Sequence, residues 1–207
     1  MKIVLENISK KYNRTWIFKD VNYSFETGKS YAILGSNGSG KSTLLQVISG
    51  FQSQSKGDIY YLDGNDIKVI PENFYTHISM AAPYMELPEE FTLREMIIFH
   101  SKFKKSKFTV DEILEMLEME KEKDKEIKDF SSGMKQRLKI GLALFFDSSI
   151  VLLDEPATNL DAKATEWYRS MVKKHTEGKT VIISSNQEIE YDFCENHLLI
   201  EDYKGKS

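Results

Sequence analysis

Gly35-Ser36-Asn37-Gly38-Ser39-Gly40-Lys41-Ser42-Thr43 is the stretch that decides how this chain is read. The apolar run Tyr31 to Leu34 leads into it as a strand, and a helix opens near Lys41. The glycines let successive backbone N–H groups turn inward and form a cradle for an anion. The helix start adds its positive dipole end to the same point. The pattern G-x-x-x-x-G-K-[ST] then sets Lys41 at the β- and γ-phosphates of a nucleotide and the Ser42 hydroxyl at Mg²⁺. A plain Gly/Ser-rich turn would not need a strand on one side and a helix on the other.

Ile150-Val151-Leu152-Leu153-Asp154-Glu155 is a buried strand that ends in two adjacent carboxylates. Neighbouring side chains on a strand point to opposite faces. Asp154 is therefore suited to the metal side, and Glu155 to a water as general base. Around these two motifs the chain divides into three stretches. Ile3–Ile8, Val21–Phe25, Tyr31–Leu34 and Gly57–Leu62 make a β-rich opening. Helices follow at Thr92–Phe103, with Leu93, Met96, Ile97 and Phe99 as its apolar side, and from Thr109, where a capping-box-like start precedes Ile113, Leu114 and Leu117. Helix 133–147, strand 150–153, helix 161–176 and strand 180–184 then alternate, which predicts a parallel sheet.

The 207 residues suffice for one sizeable domain, expected as a core of 1–75 and 141–207 with a helical lobe at about 76–140. The 28 basic and 32 acidic side chains leave a net charge of -4, which gives no electrostatic footprint for nucleic acid. Cys194 is the single cysteine, so no intrachain disulfide can form. No stretch approaches the roughly 20 apolar residues needed to span a bilayer. The chain is expected in the cytoplasm, at the inner face of the membrane only through a partner.

Phe130-Ser131-Ser132-Gly133-Met134-Lys135-Gln136-Arg137, lying between the two motifs, carries a resemblance. It is similar to the signature sequence of the ATP-binding cassette (ABC) ATPases, and the resemblance covers nearly the whole chain. It implies an α/β fold: a P-loop NTPase core of ABC type with an N-terminal antiparallel β-subdomain and an inserted helical subdomain. In that family Ser131, Ser132 and Gly133 would contact the γ-phosphate held by an opposite subunit. Ala157-Thr158-Asn159-Leu160-Asp161 resembles the D-loop, whose Asp161 would shape the dimer interface. Tyr12 stands where the family stacks an aromatic on adenine, with Trp16 as a rival. The guanine-reading Asn-Lys-x-Asp motif is absent from the sequence.

The sequence departs from the family at four positions. Pro83 falls where a Mg²⁺-sensing Gln is usual, and proline has no side-chain donor or acceptor. Asn186 replaces a His; it can donate a hydrogen bond but cannot carry charge. Ser132 and Met134 replace a Gly and a Gln of the signature. The resemblance thus implies Mg-ATP binding and slow hydrolysis by a sandwich dimer, homo- or heteromeric, that drives a separate transmembrane permease subunit. Two other readings stand beside it: an ABC ATPase without a transporter, and a degenerate cassette paired with a more active one.

Overall fold

The computed structural model describes residues 1–69 and 71–204. Among these residues eight strands form two sheets: β1 (Lys2–Tyr12), β2 (Thr15–Phe25), β3 (Ser30–Leu34), β4 (Lys56–Leu62), β5 (Ile78–Ala81), β6 (Ile150–Asp154), β7 (Thr180–Ser184) and β8 (Asn196–Leu199). The first sheet is antiparallel in the order β2-β1-β4, and the second is parallel in the order β5-β6-β7-β3-β8. Among the described residues seven α-helices connect them: α1 (Lys41–Ile48), α2 (Pro71–His77), α3 (Leu93–Ser101), α4 (Val110–Met116), α5 (Ser132–Leu144), α6 (Ala162–His175) and α7 (Glu188–Tyr191).

The parallel sheet is covered on both faces, and the period-2 alternation of its strands assigns the partners. Ile33, Ile150, Leu152 and Ile182 face the antiparallel sheet and α1. Ala32, Val151, Leu153, Val181 and Ile183 face the other way, into a core shared with α3 to α6. Burial of apolar surface on both sides keeps β6 and β7 fully buried along their length. The loop–helix and strand–carboxylate motifs therefore end up at one edge of a rigid sheet.

The expected strands are present, and β1 and β2 run further than expected. β2 begins at Thr15, well before Val21, and pairs with β1 through several register shifts. Asp20 (φ 54°) and Asn7 (φ 52°) sit at these bulges in the left-handed region, so the bulged stretch breaks the alternation that marks a strand. Ile78–Ala81, inside the stretch expected as helical lobe, is an edge strand of the parallel sheet and pairs with β6. Beyond it, α3 and α4 open on capping boxes. Thr92 Oγ1 accepts from the Glu95 amide and Thr109 Oγ1 from the Glu112 amide, each glutamate accepting in return from the threonine N–H. Leu93, Met96 and Ile97 are buried as their spacing predicts, while Phe99 is partly open to solvent.

Candidate functional site

The loop from Gly35 to Thr43 wraps the start of α1 at the end of β3. Gly40 precedes the helix at φ 108°, and a Cβ there would lie 2.6 Å from Ile17 Cγ2. Only glycine fits that turn. Lys41 is 4% exposed, and its Nζ donates to the carbonyls of Gly35 (2.8 Å) and Ser36 (3.1 Å). The ammonium is thus held inside the curl of the loop, where an anion cradled by the backbone would meet it. A cleft of about 220 Å³ opens there, walled by Asn37, Gly38, the run Gly40 to Thr43, Ile17 and Glu155. Ser39 is buried beneath it with an unpartnered Oγ.

Ser42 Oγ donates to Asp154 Oδ1 at 3.0 Å, joining α1 to the end of β6. Asp154 is buried, and burial pushes its carboxyl up. Nearby hydroxyls, Ser184 and Ser42 foremost, pull it back, and Glu155 pushes it further up. A buried carboxylate held in this way gains from a cation beside it. The donor set, a hydroxyl and a carboxylate, suits a small hard cation. Among the described residues no group of three His, Cys, Asp or Glu could hold a metal alone, so such a cation would be completed by phosphate oxygens and water.

Glu155, the next residue, adopts φ 41°, a strained conformation for a side-chain-bearing residue. Its N–H donates to Ser184 O at 2.8 Å, pinning the bend to β7. The turn sends Glu155 into the wall of the loop cleft while Asp154 stays beneath it. Asn186, just after β7, donates from Nδ2 to Asn37 Oδ1 at 2.9 Å, so it reaches the phosphate-binding loop across the cleft mouth.

The signature-like segment lies elsewhere. Ser131 caps α5, its Oγ accepting from the Met134 amide at 3.2 Å. Asp161 caps α6 in the same manner, accepting from Ala164 N at 2.8 Å. A Cβ on Gly133 would come within 3.0 Å of Asn159 O, so the two segments touch. Ser131, Ser132, Gly133 and Asp161 line one cavity of about 450 Å³. It shares no lining residue with the loop cleft. Gln136 Nε2 links them from behind, donating to Pro156 O at 2.9 Å beside Glu155.

Tyr12 is 43% exposed on the β1–β2 hairpin, its hydroxyl donating to Gln52 Oε1 at 2.5 Å. The hairpin residue that walls the cleft is Ile17, and neither Tyr12 nor Trp16 is among its lining residues. Trp16 instead lies under the ammonium groups of Lys11, Lys19 and Lys56.

Two carboxylates escaped sequence reasoning. Glu201 Oε1 accepts from both the N–H (2.9 Å) and the hydroxyl (2.6 Å) of Ser36, and these bonds hold its carboxyl below the usual range. Glu190 is fully buried; its Oε1 accepts from Ala157 N at 2.7 Å, fixing the turn after Glu155, and its Oε2 has no partner. Neither belongs to a motif, and each acts across a long sequence separation.

A family model described as ABC transporter matches residues 18–158, and the chain belongs to that family. Solved structures agree in fold. A protein assigned as the ATP-binding protein of an ABC transporter in Pyrococcus furiosus is 22% identical, with 99% of this chain and 100% of that one covered at a TM-score of 0.82. A bacterial ABC transporter cassette solved as a dimer is 25% identical over 96% of this chain and 95% of that one, with a TM-score of 0.82. The same cassette, as a dimeric post-hydrolysis state bound to ADP and Pi, matches at 25% identity over the same shares with a TM-score of 0.83. The chain is thus an ABC-type cassette: an antiparallel sheet, a parallel sheet and helices in the arrangement of a P-loop NTPase.

Burial raises the Glu190 carboxyl, with Ser185 and the Ala157 N–H opposing and the charges of Glu155 and Asp154 adding to the rise. A carboxyl raised in the folded state favours folding most when protonated, and that advantage is lost as pH rises from 4.5 through the folded value. Glu190→Gln keeps an acceptor for Ala157 and removes the charge. Its melting temperature relative to wild type should therefore rise between pH 4.5 and 7.5. Differential scanning calorimetry at the two pH values measures it; a pH-independent difference would contradict the assignment.

Proposed function

We propose that this chain is the ATP-hydrolysing subunit of a transporter, binding Mg-ATP in the loop cleft and turning it over slowly as a dimer. The observation that carries this reading is the cleft in which Lys41 and Ser42 of the loop meet Glu155, with Asp154 bonded beneath. The backbone N–H groups of Gly38 to Thr43 and the Lys41 ammonium would hold the β- and γ-phosphates. Ser42 and Asp154 would hold Mg²⁺, which supplies charge neutralisation to the phosphates when bound. Glu155 would orient or deprotonate the attacking water, and Asn186 would donate to the γ-phosphate from its place beside Asn37. Tyr12 would stack on the adenine from the open end of the hairpin.

The placement of the second cavity supports a dimer. Ser131, Ser132 and Gly133 present a helix start and a hydroxyl, groups that suit an anion, but away from the chain's own loop cleft. A second cassette facing the first would bring its signature to this loop, with Asp161 of each at the interface. The similar bacterial cassette is dimeric and was captured with ADP and Pi, which supports both the pairing and the hydrolysis. Asn186 in place of a charged donor supports a slow rate, because phosphoryl transfer depends on charge stabilisation. The same observation favours, as a second reading, a pairing with a more active cassette.

The transmembrane subunit would be a separate chain, with this one at the cytoplasmic face of the membrane. Among the described residues no helix is long and apolar enough to cross a bilayer. The segment Pro83 to Phe91 offers a docking surface. Tyr84 and Met85 are exposed there, Leu87 and Phe91 pack partly on the core, and Met85, Leu87 and Pro88 line an apolar cavity of about 240 Å³.

Two measurements test these readings. Glu155→Gln should lower steady-state ATP turnover by about 100-fold or more while retaining ATP binding; an unchanged turnover would remove Glu155 from its role. Affinity capture of the tagged chain from its native membranes in mild detergent should bring down a polytopic membrane protein in stoichiometric amount. Recovery only with soluble partners would replace the transporter reading by an ATPase without one.

A further inference from the structure

The start of the phosphate-binding loop is gripped by chain 165 residues further on. After β8 the backbone makes a single 3₁₀ turn, Ile200–Tyr203. Ile200 is fully buried there, and a Cβ on Gly35 would lie 2.8 Å from its Cγ2. The next residue, Glu201, accepts through Oε1 from the Ser36 N–H at 2.9 Å and from the Ser36 hydroxyl at 2.6 Å. Lys41 Nζ donates to Gly35 O at 2.8 Å. That carbonyl and the Ser36 N–H belong to one peptide group, and in a planar trans peptide they point in opposite directions. The Gly35–Ser36 peptide is therefore held at both ends, by a carboxylate on one side and by the loop's own ammonium on the other. Each charged partner polarises the group in the sense that strengthens the other bond.

Gly35 adopts φ 149°, a conformation open to glycine because it has no Cβ. The same freedom offers the neighbouring peptide other orientations. A turned peptide would take Gly35 O away from Lys41, and with it a contact that keeps the ammonium inside the curl of the loop. Fixing the peptide before a ligand arrives lowers the ordering cost of binding. Ile200 supplies the burial that seats the turn, whereas the Glu201 residue is only partly covered.

We propose that Glu201 is a positioning residue for the phosphate-binding loop: its carboxylate fixes the Gly35–Ser36 peptide and, through it, the Lys41 ammonium. The proposal rests on the reading of the loop cleft as a Mg-ATP site. The sign of the effect separates positioning from a plain electrostatic influence. A carboxylate beside an anion site repels phosphates by its charge alone, so on charge alone its removal tightens ATP binding. Positioning requires the opposite.

Isothermal titration of Mg-ATP into wild-type, Glu201→Ala, Glu201→Gln and Glu201→Asp protein, with thermal melts of each, tests it. Glu201→Ala should bind ATP about 10-fold more weakly, the scale of a lost hydrogen bond to a charged group, while still melting cooperatively. Glu201→Gln keeps an acceptor and drops the charge, so it should bind ATP at least as tightly as wild type. Glu201→Asp keeps the charge and withdraws the acceptor by one methylene, so it should lose affinity by less than Glu201→Ala. Affinity in Glu201→Ala equal to or tighter than wild type overturns the proposal, as does a loss in Glu201→Gln as large as in Glu201→Ala. Should Glu201→Ala fail to melt cooperatively, unchanged affinity in Glu201→Asp overturns it. Wild-type protein that does not bind Mg-ATP overturns the cleft reading itself.

Discussion

The hydrogen bond from Ser42 to Asp154 spans 112 residues of sequence and ties the phosphate-binding helix to β6, the strand that carries the carboxylates. Everything at the site depends on that registration. It requires β3 and β6 to lie in one parallel sheet, separated only by β7, with their carboxyl ends at the same edge. It requires both faces of that sheet to be packed, one by the antiparallel sheet and α1, the other by α5, α6 and the lobe. The strained φ of Glu155 is tolerated because its N–H is held by Ser184 and the following turn by Glu190. A buried carboxylate beside a hydroxyl is costly to ionise alone, and that cost favours a cation beside it.

Much of this was legible in the sequence because it is local. The loop glycines, Lys41 and Ser42 are contiguous, and the strand before Asp154 is a short apolar run with a single reading. The capping box at Thr109 is a four-residue pattern whose two reciprocal bonds form as the spacing predicts. What escaped is non-local or irregular. β2 reads as a shorter strand because Asp20 and Asn7 bulge and break its alternation. Glu190 and Glu201 act on residues far away in the chain, where neither period nor motif gives a signal. Ser131 and Asp161 show a further limit of pattern reading: each caps a helix in this structure, whatever else it does in a dimer.

The two cavities give the molecule its logic. One holds the phosphate-binding loop and Glu155; the other holds the signature-like helix start and Asp161, and they share no residue. A nucleotide seated in the first leaves part of its γ-phosphate unserved by the second in the same chain. On the proposed function, closure against another cassette would complete the site and loss of the γ-phosphate would remove the bridge, so that occupancy would shift a two-state equilibrium. α5 spans both regions through Gln136 at Pro156 and Lys139 at Pro83. On the proposed function, that helix would be the element through which contact of this chain's own signature with a partner's nucleotide is felt at Glu155 and at the segment proposed for docking.

The central claim is that ATP completes its site only between two cassettes, and the direct measurement is sedimentation velocity of Glu155→Gln protein with and without Mg-ATP. The account predicts a monomer without nucleotide and a shift to the mass of a dimer with it, the shift being lost when Ser132 is replaced by Arg. A sedimentation coefficient indifferent to Mg-ATP at saturating nucleotide would contradict self-pairing through these two cavities.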